Sequence, residues 1–354
     1  MKKSVVEQTE YVVQEYYQLI RNIGAGGFGV VCQAVDTRTG QLVAIKKALR
    51  PFLDIELARR HIREIKLLTH FDHENIIKVC DLGRPTSRKQ AEDILTILEF
   101  MPTDLDKTIR GGNQLSIDHV KYIMWQLLKA LKYLHTADVM HRDVKPSNIL
   151  IDTNCTIKLC DLGLGRGFSL GGCDPTVYVV TRYYRAPEIM MNPAGYSFPI
   201  DIWSAGCVFA ELLLRKVLFP GKSHMEMLQR ILNLIGKPTQ EEIEQVKEEH
   251  PRRFLEKFPN VEKMDFAKVF SNATAEGVDL LEKMLRFSPE NRPNVHQCLE
   301  HPFFAGLHDE SREPVAQSKF DWSWDDQAEL SHEHLSEILF QEYLKFHPEE
   351  EAYF

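Results

Sequence analysis

The sequence lacks the features that mark several large classes of protein. It has no excess of positive charge, because 43 lysines and arginines face 51 aspartates and glutamates, for a formal net charge of -8. A general binder of nucleic acid or of a membrane surface needs a basic face, so both partners are disfavoured. No apolar run approaches membrane-spanning length, and residues 1–4 lead into polar sequence rather than into the apolar core of a secretion signal. We expect a soluble protein that is not secreted.

The pattern of the cysteines favours neither a disulfide framework nor a metal site. The seven cysteines are odd in number, widely scattered and without the spacing of metal ligands. Reduced thiols in an intracellular protein fit this pattern best. The 354 residues suit about two domains of roughly 150 residues each, and 44% apolar residues are enough for a sizeable core.

The chain does contain a polar stretch, residues 141–148, whose residues suit phosphoryl transfer. Moving a phosphoryl group from a nucleotide to a hydroxyl needs mainly positioning and charge neutralisation. Asp143 can accept the proton of the hydroxyl, and Lys145 can offset charge on the transferring group. Asn148 and Asp161 offer the hard oxygen ligands that magnesium prefers. The alternative is a polar surface turn beside a buried strand.

A glycine-rich turn followed by a lysine strengthens the first interpretation. Residues 24–29 read Gly-Ala-Gly-Gly-Phe-Gly, and glycine lets backbone amides approach phosphates without a Cβ clash. A dinucleotide-binding turn would lead into a helix, and a Walker loop would contain Gly-Lys-Ser or Gly-Lys-Thr. Here a strand follows instead, and Lys46 is the last residue of a later Val-Ala-Ile-Lys. This is the pattern of the kinase strand whose lysine holds the α- and β-phosphates. A plain glycine turn in a hairpin is the alternative, and it leaves Lys46 without a role.

A helix is predicted to follow this strand. Glu64 lies on its flank and is the expected partner of Lys46. Arg60 and Arg63 share a face with Glu64, and the alternative for all three is a solvated, salt-bridged surface. The helix is predicted from the spacing of four, three and four between Ala58, Ile62, Ile65 and Thr69.

The signals of secondary structure change along the chain. Residues 16–100 are typical of strands, among them 76–79 and 94–100, and the later periodicity is helical. A charged segment punctuated by prolines, at about 220–260, predicts a helical insert. Aromatic residues among the acidic ones of 305–354 predict that this last segment packs back on the body of the protein.

With these motifs in order, the chain resembles the eukaryotic protein kinases and, within them, the mitogen-activated protein kinases, over nearly its whole length. The narrower resemblance is carried by Arg-Glu-Ile-Lys-Leu-Leu at 63–68, Lys-Pro-Ser-Asn at 145–148 and Thr-Val-Tyr at 176–178, together with the insert and the C-terminal extension. It implies a serine/threonine kinase that acts on protein substrates, with proline following the phosphorylated residue.

The resemblance implies an α+β, bilobal fold for a kinase domain over residues 16–304. The N-lobe, about 16–100, would hold a small antiparallel sheet and the helix of Glu64. A hinge at 99–104 would lead to a larger, mainly helical C-lobe at 105–304, which contains the insert. The extension at 305–354 would pack back on this domain.

The resemblance also implies that ATP and Mg²⁺ bind. Asp143, Lys145, Lys46 and Glu64 would be catalytic, and Asn148 and Asp161 would hold the metal. Arg292 would pair with Glu188 of Ala-Pro-Glu, and Asp201 would support the catalytic loop. The expected nucleotide contacts are Ile23, Gly24, Ala25, Gly26, Gly27, Phe28, Gly29, Val31, Ala44, Lys46, Leu98, Met101, Asp104, Leu150 and Cys160.

Regulation and partners follow from the same resemblance. Thr176 and Tyr178 would be phosphorylated by an upstream dual-specificity kinase, and an acidic docking site would capture activators, substrates and phosphatases. The protein is expected to be a monomer of the cytoplasm and nucleus. The phosphate-binding arginines would be Arg60, Arg63, Arg142, Arg166, Arg182 and Arg185. The docking residues would be Asp309, Glu313, Leu115, His119 and Cys155.

Four positions depart from the family pattern. Leu162 replaces the usual phenylalanine after Asp161, and Gly165 replaces alanine. Val177 replaces the usual middle residue of the Thr-x-Tyr motif, and Arg312 interrupts the acidic docking segment. The alternatives to an active kinase of this family are a pseudokinase scaffold and a cyclin-dependent type of kinase. A pseudokinase scaffold would have lost a catalytic residue, and none is lost; a cyclin-dependent type of kinase would lack the Thr-x-Tyr pair and the extension.

Overall fold

The computed structural model describes residues 1–26, 29–112, 115–167, 182–192, 195–325 and 330–353. The predicted sites Gly27, Phe28, Thr176 and Tyr178 lie outside these residues. The chain divides into two compact units. The first comprises Met1–Pro102, Cys160–Gly165 and Phe320–Phe354, and the second comprises Thr103–Leu159 and Arg166–Lys319.

The first unit begins with a hairpin that the sequence analysis did not predict. Its strands are β1 (Lys2–Val6) and β2 (Thr9–Val13). Glu7 and Gln8 form the two-residue turn, and both have positive φ, 45° and 73°. Such turns match the twist of the strands but are usually marked by asparagine or glycine, which are missing here.

The described part of this unit also contains an antiparallel sheet of five strands, which confirms the predicted N-lobe sheet. Its strands are β3 (Tyr17–Gly26), β4 (Gly29–Asp36), β5 (Gln41–Ala48), β6 (Val79–Leu82) and β7 (Ile94–Glu99). Their order is β3-β4-β5-β7-β6. The strand predicted at 76–79 is displaced along the chain, because the observed strand β6 begins at Val79.

Helix α1 (Ile55–His70) follows β5. The side chain of Asp54 caps its first turn by accepting a hydrogen bond of 2.9 Å from the Glu56 amide. Ala58, Ile62 and Ile65 are at most 1% exposed, as their spacing predicts. The last long helix of the chain, His332–Leu344, belongs to the same unit.

The second unit is mainly helical, as expected. Its helices are α2 (Leu105–Arg110), α3 (Ile117–Thr136), α4 (Pro187–Met191), α5 (Pro199–Leu214), α6 (His224–Ile235), α7 (Gln240–Glu244), α8 (Glu249–Lys257), α9 (Phe266–Val269), α10 (Ala275–Met284) and α11 (Val295–Leu299). The helix at His332–Leu344, which belongs to the first unit, is numbered α12. Helices α6 to α8 occupy the predicted insert.

Short strands in this unit frame the polar stretch of residues 141–148. They are β8 (Thr103–Asp104), β9 (Val139–Met140), β10 (Ile149–Ile151), β11 (Ile157–Leu159) and β12 (Arg166–Gly167). Strand β10 pairs with β8 and β11, and β9 pairs with β12. Among the helices that the structure describes, none has both the length and the apolar character needed to cross a bilayer.

Candidate active site

The predicted contact between Lys46 and Glu64 is present in the first unit. The Nζ atom of Lys46 on β5 lies 2.7 Å from Oε1 and 2.6 Å from Oε2 of Glu64 on α1. Burial alone would lower the pKa of Lys46, but the carboxylates of Glu64 and Asp161 outweigh this effect and raise it. The lysine therefore stays charged and able to hold an anion.

Strand register places other predicted nucleotide contacts beside Lys46. Val31 on β4 is directly opposite Lys46, and Leu98 on β7 is opposite Ala44. Opposed residues in a sheet point to the same face, and residues two apart on a strand share that face. Val31, Ala44, Lys46 and Leu98 therefore line one face of the sheet, with a single cation among apolar side chains.

The glycine-rich turn borders this face through the pairing of Gly24 with Val31. Gly29 has φ 150°, and a Cβ there would lie 2.3 Å from the carbonyl oxygen of Lys47. Glycine is therefore required at this position by the packing of the sheet itself and not by a ligand. At Gly24 and Gly26 a Cβ would meet nothing within 4 Å. The open space at these two positions fits a ligand that approaches the backbone closely.

Asp161 follows the half-buried Cys160 and has φ 60°, a left-handed conformation that aspartate tolerates. Its Oδ1 lies 3.9 Å from Nη2 of Arg60. Leu162 is fully buried, so leucine fills the position at which phenylalanine is usual. The carboxylate of Asp161 remains about one-quarter exposed and is available as a hard oxygen ligand.

The arginines of α1 are not a solvated surface, and that alternative is wrong. Arg60, Arg63 and Glu64 are 5%, 2% and 7% exposed. Arg63 donates to the Asp325 carboxylate at 2.8 Å and to the Gly163 carbonyl at 3.1 Å. That Arg63 binds the phosphate of Thr176 stays a prediction, because Thr176 lies outside the described residues. Sequence reasoning missed Asp325, which no motif marks.

In the second unit, the catalytic-loop residues of the predicted site form one hydrogen-bonded group. Lys145 Nζ lies 2.7 Å from Oδ2 of Asp143. Asn148 Nδ2 donates to the same oxygen and to the Asp143 backbone carbonyl, both at 2.9 Å. Because a cation and an amide hold one carboxylate oxygen, the orientation of Asp143 is fixed.

Asp201 supports this loop from α5, as the sequence analysis expected. It is fully buried and accepts from the backbone amides of His141 at 2.8 Å and Arg142 at 2.9 Å. Burial would raise its pKa, but the hydrogen bond and charge of His135 lower it instead. The bonds hold Arg142 at φ 67°, in the left-handed region. This turn aims the following Asp143.

The predicted pair of Arg292 and Glu188 is also present. The two form a bidentate ion pair with distances of 2.6 and 2.7 Å, and the Arg292 side chain is fully buried. Bidentate arginine–carboxylate pairs are specific in geometry. This pair ties α4 to the segment before α11.

The remaining predicted nucleotide contacts are divided between the units. Ile23 and Ala25 lie on β3, half-buried and exposed, and Met101 is half-buried after β7. Leu150 on β10 pairs with Asp104 on β8. Asp104 already caps α2 and lies 2.8 Å from Lys107 Nζ.

The other predicted phosphate-binding arginines lie in the second unit. The guanidinium of Arg142 lies 3.9 Å from the centroid of the Tyr196 ring, and Arg166 is in β12. Arg185 lies 3.3 Å from Nε2 of His224. Burial of His224 and the charges of Arg185 and Arg182 lower its pKa. Arg182 and Arg185 thus form a basic region in which His224 favours its neutral form.

Glu313, a predicted docking residue, requires correction. It is 1% exposed and accepts from the Trp125 indole at 2.8 Å, with His308 at 3.0 Å and Lys132 at 3.6 Å. A carboxylate held this way cannot reach a partner's side chain. Asp309 is exposed and accepts from the backbone amide and the hydroxyl of Ser311.

Other docking predictions fall on half-buried or exposed positions. Leu115 is half-buried before α3, and His119 is exposed in the capping box of Ser116. Cys155 is half-buried, and Gln126 binds its carbonyl at 2.8 Å. Arg312 is exposed, with its guanidinium 4.9 Å from the centroid of the Trp125 ring.

Comparisons with known proteins agree with this geometry. The family model of the protein kinase domain matches residues 17–304. Mitogen-activated protein kinase 3 of Arabidopsis thaliana is 42% identical over 95% of the chain and 90% of its own length. Mitogen-activated protein kinase 1 of Oryza sativa subsp. japonica is 43% identical over 96% and 84%. Extracellular signal-regulated kinase 1 of Dictyostelium discoideum is 43% identical over 97% of the chain, which spans 65% of that relative.

The chain therefore belongs to the protein kinase family and, within it, to the mitogen-activated protein kinases. It is an ATP-dependent serine/threonine protein kinase. Kinases of this family generally use ATP and Mg²⁺, and the family implies interactions with an upstream kinase and with protein substrates.

Proposed function

We propose that the chain transfers the γ-phosphate of ATP to serine or threonine followed by proline, through the residues named above. The observation that carries this proposal is the fixed carboxylate of Asp143, held by Lys145 and Asn148. The charged pair of Lys46 and Glu64 supports it independently. The kinase domain is taken as residues 16–304 and the extension as 305–354.

Each residue has a separate task in this proposal. ATP with magnesium supplies the phosphoryl group and much of the charge neutralisation. Asp143 orients the substrate hydroxyl and accepts its proton, while Lys145 offsets negative charge. Asn148 and Asp161 would each offer the metal an oxygen ligand. Lys46, oriented by Glu64, holds the α- and β-phosphates. Glycines at 24 and 26 let the backbone approach the nucleotide.

Activation by phosphorylation of Thr176 and Tyr178 belongs to the same proposal. Each phosphate adds about -1.5 to -2 charges at neutral pH and orders a segment where arginines bind it. The basic region of Arg182 and Arg185, together with Arg142, supports such binding. An upstream dual-specificity kinase would add both phosphates, and phosphatases would remove them.

The test is transfer from labelled ATP to a Ser-Pro peptide by protein phosphorylated at both sites, at each alone and at neither. Dual phosphorylation should raise the rate by at least about tenfold, which corresponds to about 1.4 kcal/mol of the activation free energy. Thr153→Ala, at an exposed turn position, is the control substitution. Full activity of unphosphorylated protein carrying Thr176→Ala and Tyr178→Phe would contradict the switch. No transfer by any form would contradict the function.

We also propose a docking site in which Asp309 attracts basic segments of activators, substrates and phosphatases. Charges exposed to water are worth only about 0.2–1 kcal/mol per pair, so affinity should be modest and salt-sensitive. Arg312 weakens the attraction, because it is exposed and its positive charge lies three residues from Asp309. The protein would act as a monomer in the cytoplasm and nucleus.

Substitution of Arg312 gives an unusual signature for this site. Arg312→Asp should strengthen the binding of a basic docking peptide by about 3- to 10-fold, and Asp309→Lys should weaken it to a similar extent. Fluorescence anisotropy of a labelled peptide at two salt concentrations would measure both changes. Glu290→Lys, at an exposed acidic position, is the control. Equal affinities for all variants would remove the docking proposal.

A further inference from the structure

A cavity of about 650 Å³ lies in the second unit, where the end of α2, the start of α3 and the end of α5 meet. Small-molecule sites in proteins usually have volumes of about 300–1,000 Å³. The described residues that line this cavity include none of the predicted catalytic, metal-binding or nucleotide-binding residues. The cavity is therefore a second candidate site, separate from the one that contains Asp143.

The walls of the cavity are mostly apolar. Four of the lining residues are at most 7% exposed, and two more are half-buried. An apolar chain that enters the cavity leaves water, which favours its binding. The apolar lining residues are Ile109, Leu115, Ile117, Val120, Leu212 and Leu213.

The charged residues of the described lining are both positive. They are Arg110 and Arg215, and no acidic residue accompanies them there. Arg110 is exposed and already pairs with Asp106, at 2.9 Å. Arg215 is half-buried. This distribution of charge favours an occupant that carries a negative charge and disfavours a positive one.

Arg215 holds a donor that the described part of the protein does not use. Its Nη2 atom donates to the Thr108 carbonyl at 3.1 Å, which anchors one side of the guanidinium to α2. Its Nη1 atom is buried and has no hydrogen-bond partner among the described residues. A buried donor on a charged group is costly to leave unpaired. An anionic oxygen at Nη1 would remove this cost and add a charge-assisted hydrogen bond.

The backbone of Arg215 is also unusual for an arginine. Arg215 follows the last residue of α5, and its amide donates to the Glu211 carbonyl at 2.7 Å. Its φ is 58°, in the left-handed region. Glycine is usual at this place after a helix, because a Cβ disfavours positive φ. The strain is tolerated here in a residue whose side chain reaches back to α2 and lines the cavity.

We propose that this cavity binds a medium-chain fatty acid anion, with its apolar chain between the apolar walls and its carboxylate on Nη1 of Arg215. A carboxylate suits the site better than a phosphate. One guanidinium nitrogen and the amide of Asn272, which also lines the cavity, offer fewer donors than the three oxygens of a phosphate accept. An acyl chain in an ester or amide linkage lacks the charged head and is not the expected ligand.

Leu115 belongs both to this cavity and to the predicted docking residues, but the two sites attract opposite charges. The proposed docking site attracts basic segments through Asp309. A basic segment in the cavity would bring its cations to Arg110 and Arg215, which repel them. The occupant of the cavity is therefore not a docking segment. The inference does not depend on the proposed function, because it uses no step of phosphoryl transfer.

Calorimetric titration of the whole chain with octanoate tests this inference, with methyl octanoate as the uncharged probe. The wild type should bind octanoate about 10- to 100-fold more tightly than the ester, because only the carboxylate accepts a charge-assisted hydrogen bond. Arg215→Gln should bind the two probes equally. Lys216→Gln, at the next and exposed position outside the lining, is the matched control and should keep the preference. Equal binding of both probes by the wild type, or binding of neither, would overturn the inference.

A second variant locates the ligand and leaves Arg215 unchanged, in case Arg215→Gln does not fold. Ile117→Trp puts a larger side chain at a half-buried position of the lining. It should weaken octanoate binding by at least about tenfold, because the ring takes up space that the acyl chain needs. Asp118→Trp adds the same ring at an exposed position outside the lining and should bind octanoate as the wild type does. Wild-type affinity in Ile117→Trp would show that octanoate binds elsewhere and would overturn the assignment of the cavity.

Discussion

Asp143→Asn is expected to lower kcat by about 10²- to 10⁴-fold, the usual contribution of a positioned general base. The substitution keeps the shape of the side chain, and Asn148 can still bind the carbonyl oxygen of the new amide as it binds Oδ2 of Asp143 at 2.9 Å. The amide cannot accept the proton of the substrate hydroxyl. Rate measurements at saturating ATP, with nucleotide affinity measured by calorimetry, would separate lost chemistry from lost binding.

Two further measurements make this result specific to Asp143. Asp118→Asn, at an exposed position in the first turn of α3, should leave kcat unchanged. Thermal unfolding should show that Asp143→Asn keeps its fold, since Asp201 continues to hold the loop amides. A rate within a few-fold of the wild type would show that Asp143 is not the base.

The parts of the site that the sequence could predict are those whose chemistry is local or carried by short motifs. Asp143, Lys145 and Asn148 lie within six residues, and their hydrogen bonds follow from that spacing. The contact between Lys46 and Glu64 spans 18 residues, but each end lies in a regular element with a clear pattern. The pairing itself was predicted from the resemblance to kinases, in which the lysine of this strand pairs with a glutamate on the next helix.

The contacts that the sequence could not predict depend on packing between distant segments. Asp325 is 262 residues from Arg63, and an aspartate among tryptophans carries no sign of its partner. Burial was the other difficulty. Glu313 stands in an acidic segment typical of a solvated surface, yet the indole of Trp125 and the ring of His308 enclose it.

Strand β6 shows the same limit at the level of secondary structure. The predicted strand, 76–79, ends before Asp81, whereas β6 continues to Leu82. Asp81 is nevertheless buried within the strand, because Tyr17 donates to it at 2.7 Å and His347 lies 2.6 Å from it. A polar residue inside a strand is tolerated when distant side chains satisfy it, and those side chains are invisible in the local pattern.

Lys46→Met should remove most transfer activity and also destabilise the fold. Losing a preorganised charge that acts on the phosphates costs about 10²- to 10³-fold in rate. The variant also leaves the carboxylate of Glu64 buried without its cation, and breaking such a pair costs about 3–5 kcal/mol. We expect the lower end of that range, because the side chains of Lys46 and Glu64 keep 18% and 9% exposure. Urea unfolding and steady-state kinetics measure the two effects independently.

The double variant Lys46→Met, Glu64→Met separates the two effects. Replacing both charges by apolar side chains removes the unpaired carboxylate, so most of the lost stability should return. The rate should not return, because nothing then holds the phosphates. Lys47→Met, one residue along β5, is the matched control: its partner Asp93 is 33% exposed, so we expect a loss of about 1 kcal/mol or less and an unchanged rate. A double variant as unstable as the single one would show that the unpaired carboxylate is not the cause of instability. Wild-type turnover in Lys46→Met or in the double variant would show that Lys46 does not position the nucleotide.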